Sequence, residues 1–302
     1  MKYLIAAIAW LLSTSTFASS SLCNSSDSDC VNTSQWQFSV AIGIGELTNP
    51  LAGGDNLPLF VIPYVSYYRD RFFLENTTLG FTLLDKPKSD LSFIVEPNAE
   101  QAFFEQFHLR NIIAPGSYVA TDGNIVDSPD GALEIPDDVT PPIEQREVTV
   151  DDIANRKWAI DFGLLGHWYI NDSSKLSMQW LHDVSGVYRG HHAKVTYHYE
   201  FIPISKLPVK VRLIAGVHWK ESALVDYYYG LRSSDEIDEQ LYYQGRSVLN
   251  PFLGATLQYK LTDDWQLKAS IKRQFLGAGI TDSPLIRKDD VNYFFIGGVY
   301  AF

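Results

Sequence analysis

The sequence predicts an all-β fold: a transmembrane, antiparallel, up-and-down β-barrel of about twelve strands. Large apolar residues alternate with small or polar ones over many segments of about ten residues, the length of a tilted strand that crosses a membrane. Trp and Tyr concentrate near the ends of these segments, where a membrane barrel carries its aromatic girdles. The chain ends on the same alternation, with Phe294, Tyr300 and Phe302 on one face. Alternation alone also fits a soluble β-sandwich, so the segment lengths and aromatic ends favour the barrel.

Composition excludes several other classes. Of the 302 residues, 46% are apolar and 14% aromatic, too many packing residues for a disordered chain. No apolar run of about 18 residues follows the N-terminus, which excludes a bundle of membrane helices. With 24 Lys and Arg against 36 Asp and Glu, a net charge of -12, the chain repels nucleic-acid phosphates. We therefore expect no nucleic-acid partner.

The N-terminus has the pattern of an export signal. Residues 1–18 combine the positive Lys2, an apolar core at 3–12 and small residues before a cleavage site. Residues 19–34 follow as a Ser/Asp-rich segment, and the barrel is predicted to occupy 35–302. We expect Cys23 and Cys30, which are the two cysteines of the sequence, to form a disulfide in an oxidising compartment. Lipid attachment to Cys23 is the weaker alternative, because a bulky Leu precedes it.

Twelve segments are predicted as strands. They are 35–45, 58–68, 71–83, 89–96, 102–112, 157–170, 174–183, 192–202, 208–220, 248–260, 265–276 and 291–302. The segment 102–112 completes the even number that a single-chain bacterial barrel needs, and ten strands are the fallback. The short connections at 68–71, 96–100, 170–174, 203–207 and 261–264 then fall in the periplasm. The long ones at 46–57, 113–156, 221–247 and 277–290 fall outside the cell, as in outer-membrane barrels.

The connection 113–156 is strongly acidic. Between residues 114 and 155 it contains ten acidic residues against Arg146, with Pro and Gly throughout. The pattern is typical of a solvated surface loop. A second interpretation is a cation-binding lid over the barrel mouth, or a patch bridged to lipopolysaccharide by divalent ions, because clustered carboxylates hold hard cations.

Catalytic and metal-binding patterns are weak. The histidine pair 191–192 lies near His198, but neighbours on a strand point to opposite faces and no Cys or carboxylate stands at ligand spacing. Ser177, Ser185 and His182 raise the question of a lipid hydrolase, because such enzymes activate a Ser with a His on the outer rim of a barrel. No orienting third group accompanies them. We therefore expect no catalytic residue, no metal and no cofactor.

The alternation also selects residues for the lumen. Those predicted to line it are Asp161, Glu200, Lys210, Arg212, His218, Lys220, Lys268 and Lys272. A barrel of about twelve strands is only moderately wide. Opposed charges either pair across it and block flow or line a narrow wet pore. Bulky inward residues such as Leu165, Tyr169 and Phe252 favour a largely filled barrel.

Several stretches carry a family resemblance. They are 36–45, 58–67, 72–74, 156–163, 226–231, 282–285 and 299–302. Together they resemble the MipA/OmpV family over nearly the whole chain after residue 35. The more specific motifs are the Tyr-Tyr-Gly that follows Asp226 and the Asp-Ser-Pro at 282–284. The ending also resembles the barrel-insertion signal of bacterial outer-membrane proteins, at Tyr300 and Phe302.

The resemblance implies a barrel in the outer membrane of a Gram-negative bacterium, surrounded by lipid and lipopolysaccharide. It implies a scaffold that links a murein lytic transglycosylase to a murein synthase, while some relatives are treated as adhesins or small porins. It transfers no catalytic residues. The long acidic segment and the Cys23/Cys30 pair depart from the family pattern.

A scaffold needs a surface for its partner. We expect an exposed cluster of Tyr227, Tyr228 and Tyr229 to supply it, because Tyr anchors many interfaces. Packing within the loop or the aromatic girdle is the alternative. The predicted topology places this cluster outside the cell, whereas murein enzymes work in the periplasm. The alternatives to a scaffold are a small diffusion channel and a surface adhesin.

Overall fold

Strands dominate the structure, a computed structural model that describes residues 34–105, 148–203 and 207–302. The predicted signal peptide, the Cys23/Cys30 disulfide and most of the acidic segment 113–156 lie outside the described residues. The strands are β1 (Trp36–Leu47), β2 (Val61–Arg69), β3 (Phe72–Glu75), β4 (Thr78–Lys86), β5 (Ser89–Pro97), β6 (Ile160–Asn171), β7 (Ser174–Asp183), β8 (His191–Phe201), β9 (Val209–Lys220), β10 (Val248–Lys260), β11 (Trp265–Phe275) and β12 (Asp290–Ala301).

These twelve strands form one closed antiparallel ring. Each strand pairs with its neighbour in the chain, and β12 returns to pair with β1, where Gly43 lies opposite Gly297 and Ser39 opposite Ala301. A two-residue pairing at Leu57–Pro58 continues the line of β2 along β1 and adds no strand to the ring. The predicted twelve-strand, up-and-down barrel is therefore confirmed.

The predicted position of one strand is wrong. Residues Ala99–Phe104, at the start of the predicted strand 102–112, form a 3-10 helix, which Asn98 caps by accepting the Glu100 amide at 3.0 Å. The twelfth strand comes instead from 71–83, which a turn at Asn76 divides into β3 and β4. Asn76 has a φ of 51°, a left-handed conformation that Asn tolerates. As a result, the connection 96–100 lies at the outer end of the barrel and not in the periplasm.

The β3–β4 hairpin is short and leaves part of β2 without a neighbour on that side. β3 pairs with β2 only over Ser66–Arg69. At the hairpin tip, the Asn76 amide donates to Val65 O at 2.8 Å, and Asn76 Oδ1 accepts the Val65 amide at 3.0 Å. Further along the free edge stands Pro63, which has no N–H to leave exposed. These features reduce the number of unpaired backbone groups that the edge presents to lipid.

The outer surface of the wall is apolar. Outward positions such as Ile42, Ile44 and Ile296 are 58–64% exposed, which suits contact with hydrocarbon. Aromatic pairs mark the periplasmic rim: Trp36 lies 4.8 Å from the Tyr67 ring. None of the helices in the described ranges has the length and hydrophobicity to cross a bilayer.

Inward-facing phenylalanines lie over glycines of neighbouring strands. The directly paired residues are Phe73 with Gly80, Phe252 with Gly216 and Phe295 with Gly45. A Cβ atom added to Gly216 would stand 2.6 Å from Phe252 Cζ, well inside van der Waals contact. Glycine at these sites therefore leaves room for the ring, a device that also fixes the register.

The main apolar core lies in the outer end of the barrel. The helix α1 (Ser222–Tyr229) lies in the connection from β9 to β10, and the short helix α2 (Ala278–Thr281) lies in the connection from β11 to β12. Their buried side chains include Leu224, Val225 and Ile280, which pack with Leu285. We call this inward-folded set of segments, together with the 3-10 helix at Ala99–Phe104, the plug.

Candidate functional site

The plug buries the tyrosine cluster that was expected to be exposed. Tyr228 and Tyr229 are 0% and 1% exposed, and Tyr227 is half-buried. Tyr228 OH donates to Lys157 O at 3.2 Å, and Tyr227 OH accepts the Lys157 amide at 2.9 Å. The expectation of an exposed cluster is wrong, because α1 turns inward and its aromatic rings fill the core.

A buried ion pair holds the plug to the wall. Lys220, at the outer end of β9, places Nζ 2.5 Å from Glu100 Oε1. Both side chains are less than 10% exposed. Tyr229 OH donates a hydrogen bond to the same carboxylate. Burial, followed by the neighbouring charge of Glu100, raises the pKa of Tyr229 well above its ordinary value, so this hydroxyl remains a donor.

A second polar hub surrounds Asp161, near the outer end of β6. Its carboxylate accepts hydrogen bonds from Tyr188 OH at 2.6 Å and Asn98 Nδ2 at 2.7 Å. His192 Nε2 lies 2.9 Å from the same group. The other ring nitrogen of His192 lies 3.1 Å from His218 Nε2. This network ties β6, β8, β9 and two outer connections together in a site that excludes water.

The loop that presents Tyr188 is organised by Asp183. Its carboxylate accepts the amides of Ser185, Tyr188 and Arg189 at 2.7–2.9 Å. Gly186 in the same loop has a φ of 77°, which favours glycine. The turn residues that follow β7 in the sequence therefore build an Asp-centred turn that aims Tyr188 at Asp161.

Arg156 and Asp235 form a third buried pair, above the wall. Arg156 Nη1 donates to Asp235 Oδ1 at 2.8 Å, and both side chains are at most 5% exposed. Burial acts to raise the pKa of Asp235, but hydrogen bonds from Arg156 and from the Arg232 and Ala154 amides outweigh it. The pKa of this carboxyl therefore lies below its ordinary value.

The strand register places all eight predicted lumen residues on the inward face. Asp161 and Lys220 are buried in the plug contacts described above. Glu200, Lys210 and Arg212 lie together near the periplasmic end, with Nζ of Lys210 at 3.0 Å and Nη2 of Arg212 at 2.6 Å from the Glu200 carboxylate.

On the β8–β11 side of the lumen, the positive charge of the lysines exceeds the negative charge of the carboxylates that pair with them. Lys194, Lys268 and Lys272 face inward there and have no carboxylate within 4.0 Å among the described residues. On the β3–β5 side, Glu96 accepts hydrogen bonds from the neutral groups of Thr78 and Gln179, both at 2.9 Å. The two walls therefore face each other with opposite charge.

A small polar cleft opens at the periplasmic end. It encloses about 240 Å³ and is lined by Lys175, His198, Glu200 and Arg212, together with the exposed turn residue Asp172. Because the cleft lies at the rim, a periplasmic molecule can reach it. Its charged side chains suit a polar or charged group.

The residues considered for a hydrolase do not meet. His182 faces outward, where Nδ1 bonds to Gly190 O at 2.9 Å, while Ser185 Oγ donates to Asp183 at 2.6 Å. Ser177 Oγ faces the lumen and lies 3.2 Å from His198 Nε2, and no carboxylate of the described residues bonds to the other ring nitrogen. His191 and His192 point to opposite faces of β8. Within the ranges that the structure describes, no three potential metal ligands come together.

Sequence reasoning missed Lys194, Asn250 and Glu100. Lys194 could have been found, because it shares the inward parity of Glu200 on the same strand. Asn250 could have been found in the same way, because it shares the inward parity of Phe252 on its strand. Glu100 carries no such signal, because it belongs to a segment that was predicted as a periplasmic turn.

Comparisons with known proteins agree with this architecture. A family model described as MltA-interacting protein MipA matches residues 38–302. Outer membrane protein Omp26La of Vibrio anguillarum is 25% identical over 154 residues, and OmpV of Vibrio cholerae is 24% identical over 154 residues. Each alignment covers 51% of this chain and 58% of the relative, so the chain spans less than two thirds of either. The putative outer membrane protein YiaT of Escherichia coli is 23% identical over 266 residues, 87% of this chain and 89% of the relative.

Solved structures give only a distant likeness. The N-terminal β-barrel domain of Pseudomonas aeruginosa OprF is 16% identical, with a TM-score of 0.23, over 48% of this chain and 88% of that domain. The Pseudomonas putida toluene transporter TodX is 9% identical, with a TM-score of 0.33, over 89% of each chain. At these TM-scores, no residue of either protein can be matched to a site described above.

Proposed function

Because the chain belongs to the MltA-interacting protein MipA family, we propose that this outer-membrane protein is a non-catalytic scaffold that holds a murein lytic transglycosylase and a murein synthase at the periplasmic face of its barrel. The family description names an interaction with MltA. The relatives carry the names of outer-membrane proteins and not of enzymes.

The filled outer end is the observation that supports a scaffold most. The buried Lys220–Glu100 pair and the Asp161 hub fix the plug at several points, and tyrosine rings fill the space between them. Such a packed polar and aromatic core favours a static role over solute flow. With the tyrosine cluster buried, the exposed periplasmic rim, including Asp172 and the cleft beside Arg212, is the better partner surface.

The test is recovery of murein enzymes from crosslinked envelopes with the full-length protein as bait. We expect wild type to recover a lytic transglycosylase and a synthase. The double variant Asp172→Lys/Arg212→Glu, which reverses charge at the periplasmic rim, is expected to lose most of this recovery, because charge reversal at a polar contact places like charges together.

The matched control is Lys288→Glu/Asp289→Lys, which makes the same two reversals at exposed residues of the outer end. It is expected to recover both enzymes as wild type does. Absence of murein enzymes with wild type overturns the scaffold. Equal loss in both double variants overturns the placement at the periplasmic rim.

A small diffusion channel is the second candidate, and the unpaired lumen lysines favour it. Lys194, Lys268 and Lys272 face the lumen without a carboxylate partner among the described residues, as charges along a solute pathway would. Steady conductance of the wild-type protein in a planar bilayer, reduced when these lysines are neutralised, would place the channel ahead of the scaffold.

A further inference from the structure

The lumen beneath the plug gathers unmatched hydrogen-bond donors. We propose that Lys194, Lys272 and the side-chain amide of Asn250 form a binding site for a small oxyanion, a phosphate or carboxylate group that enters from the periplasm. This site does not depend on the scaffold function.

The three donors lie around one patch of the inner wall. Lys194 on β8 pairs with His218 on β9, which pairs with Asn250 on β10. Lys272 comes from β11 and places Nζ 4.7 Å from the centre of the Phe252 ring, two residues along β10 from Asn250. Three strands, β8, β10 and β11, therefore direct the donors to one region of the lumen.

Among the described residues, no carboxylate pairs with Lys194 or Lys272. Lys194 stands diagonally across the β8–β9 pairing from Lys220, which lies opposite His192. In the plug, the Glu100 carboxylate is already bonded to Lys220 and Tyr229. Like charges in a partly dry lumen raise the free energy of the folded state, and a bound anion removes that cost.

Asn250 supplies an independent observation. Its side chain is fully buried, and Oδ1 accepts the Gly277 amide at 2.8 Å, which fixes the orientation of the side-chain amide. Nδ2 is buried as well and has no acceptor among the described residues. Buried donors without a partner are rare because each gives up its hydrogen bonds to water without a replacement. An oxyanion oxygen would satisfy this donor, together with the two ammonium groups.

The plug determines the side from which the ligand enters. The packed plug, which the Lys220–Glu100 pair holds to the wall, lies above the site, whereas the periplasmic end carries the polar cleft. The apolar face of Phe252 lies beneath Lys272, so the site combines two charges and a neutral donor with an apolar floor. These features suit a compact group with several oxygens.

Isothermal titration calorimetry of the folded, detergent-solubilised protein tests the site. The probes are inorganic phosphate, acetate and dihexanoyl phosphatidylglycerol, with sodium chloride matched for ionic strength. We expect saturable binding of phosphate or acetate by wild type. Lys194→Met/Lys272→Met, which keeps the aliphatic stems, is expected to weaken that binding by about tenfold or more, the effect of losing charged hydrogen bonds.

Two further variants separate the site from general charge. Asn250→Asp keeps the acceptor for Gly277 but replaces the free donor with a charge that repels an anion, and we expect a loss of about tenfold. Lys268→Met removes an unpaired lysine from the same strand as Lys272, and we expect less than about twofold change. Heat-modifiable electrophoretic mobility confirms that each barrel is folded.

Three results overturn the proposal. They are no saturable binding of phosphate or acetate by wild type, an equal loss in Lys268→Met and Lys194→Met/Lys272→Met, and binding of the lipid probe alone. The last result would assign the phosphate contact to the outer wall of the barrel.

Discussion

At the residue scale, the Arg156–Asp235 pair is expected to make stability depend on pH. The pKa of Asp235 is lowered from an ordinary 3.8, so its contribution is complete above about pH 4 and is lost as the pH falls through the lower folded value. Arg156→Met leaves the carboxylate buried without its cation, and we expect the free energy of unfolding at pH 7 to fall by about 3–5 kcal/mol. Urea titration of the barrel in vesicles, at pH 7 and pH 3, measures both effects.

The matched control is Arg246→Met. Arg246 pairs with Asp282 at the same end of the protein, but these side chains are 63% and 49% exposed. An exposed pair is worth about 0–1 kcal/mol, so little change is expected. Two results would contradict this prediction. Arg156→Met and Arg246→Met would lower the stability equally at pH 7, or the effect of Arg156→Met would not shrink in acid. Either result would mean that the Arg156–Asp235 pair does not make stability depend on pH.

The face of the sheet on which a strand residue lies could be predicted from the sequence, whereas the exposure of a residue in a connection could not. Alternation assigned Lys210, Arg212 and Lys272 to the inward face, because parity on a strand fixes the face. The exposure of Tyr228 could not be derived in this way. A connection of 27 residues between strands gives no sign of whether it extends outward or folds into the lumen.

At the element scale, the contact of Gly80 with Phe73 is expected to be sensitive to side-chain size. Gly80→Leu places side-chain atoms where the Phe73 ring lies, because a Cβ there would stand 2.0 Å from Phe73 Cζ, and it forces β3 and β4 apart or the ring off its position. Overpacking of this kind costs about 1–3 kcal/mol. We expect a lower urea midpoint and slower refolding into vesicles.

Compensation at the partner residue tests the cause. Adding Phe73→Ala to Gly80→Leu creates space for the new side chain, because the nearest atoms all belong to the Phe73 ring. The double variant is therefore expected to recover part of the lost stability relative to the two single variants combined. Strictly additive losses would show that the ring and the glycine do not interact. Gly166→Leu is a useful comparison, since a Cβ there meets no atom closer than 3.6 Å.

The division of 71–83 into two strands could have been detected. The outward residues are Phe72 and Leu74 before the turn but Leu79 and Phe81 after it, so the parity changes across Asn76. A continuous strand keeps its parity. The 3-10 helix at Ala99–Phe104 had no comparable signal, because four apolar residues in a short segment fit either a strand or a turn of helix.

At the scale of the whole molecule, the plug is expected to control conductance. Lys220→Met leaves Glu100 as a buried charge without a cation, which favours a plug that opens to water. We expect the wild-type protein to give no steady conductance in a planar bilayer and Lys220→Met to give discrete steps.

Lys260→Met is the control for this experiment. Lys260 pairs with Asp263 at an exposed periplasmic turn, with side chains 52% and 96% exposed. It is expected to behave as wild type does. Equal conductance of wild type and Lys220→Met would mean that the plug leaves a path open, and the channel function would then take precedence.

The pairing of β1 with β12 has a consequence for biosynthesis. The first strand of the wall acquires its second neighbour only when the final strand has been made, so no intermediate length of nascent chain can complete the ring. Each shorter piece carries two open edges and an apolar face, the combination most prone to aggregation. Folding during synthesis is thus of no use to this chain. It has to reach its membrane as an unfolded polypeptide. The time for which it can remain unfolded depends on whatever prevents its strands from pairing too early.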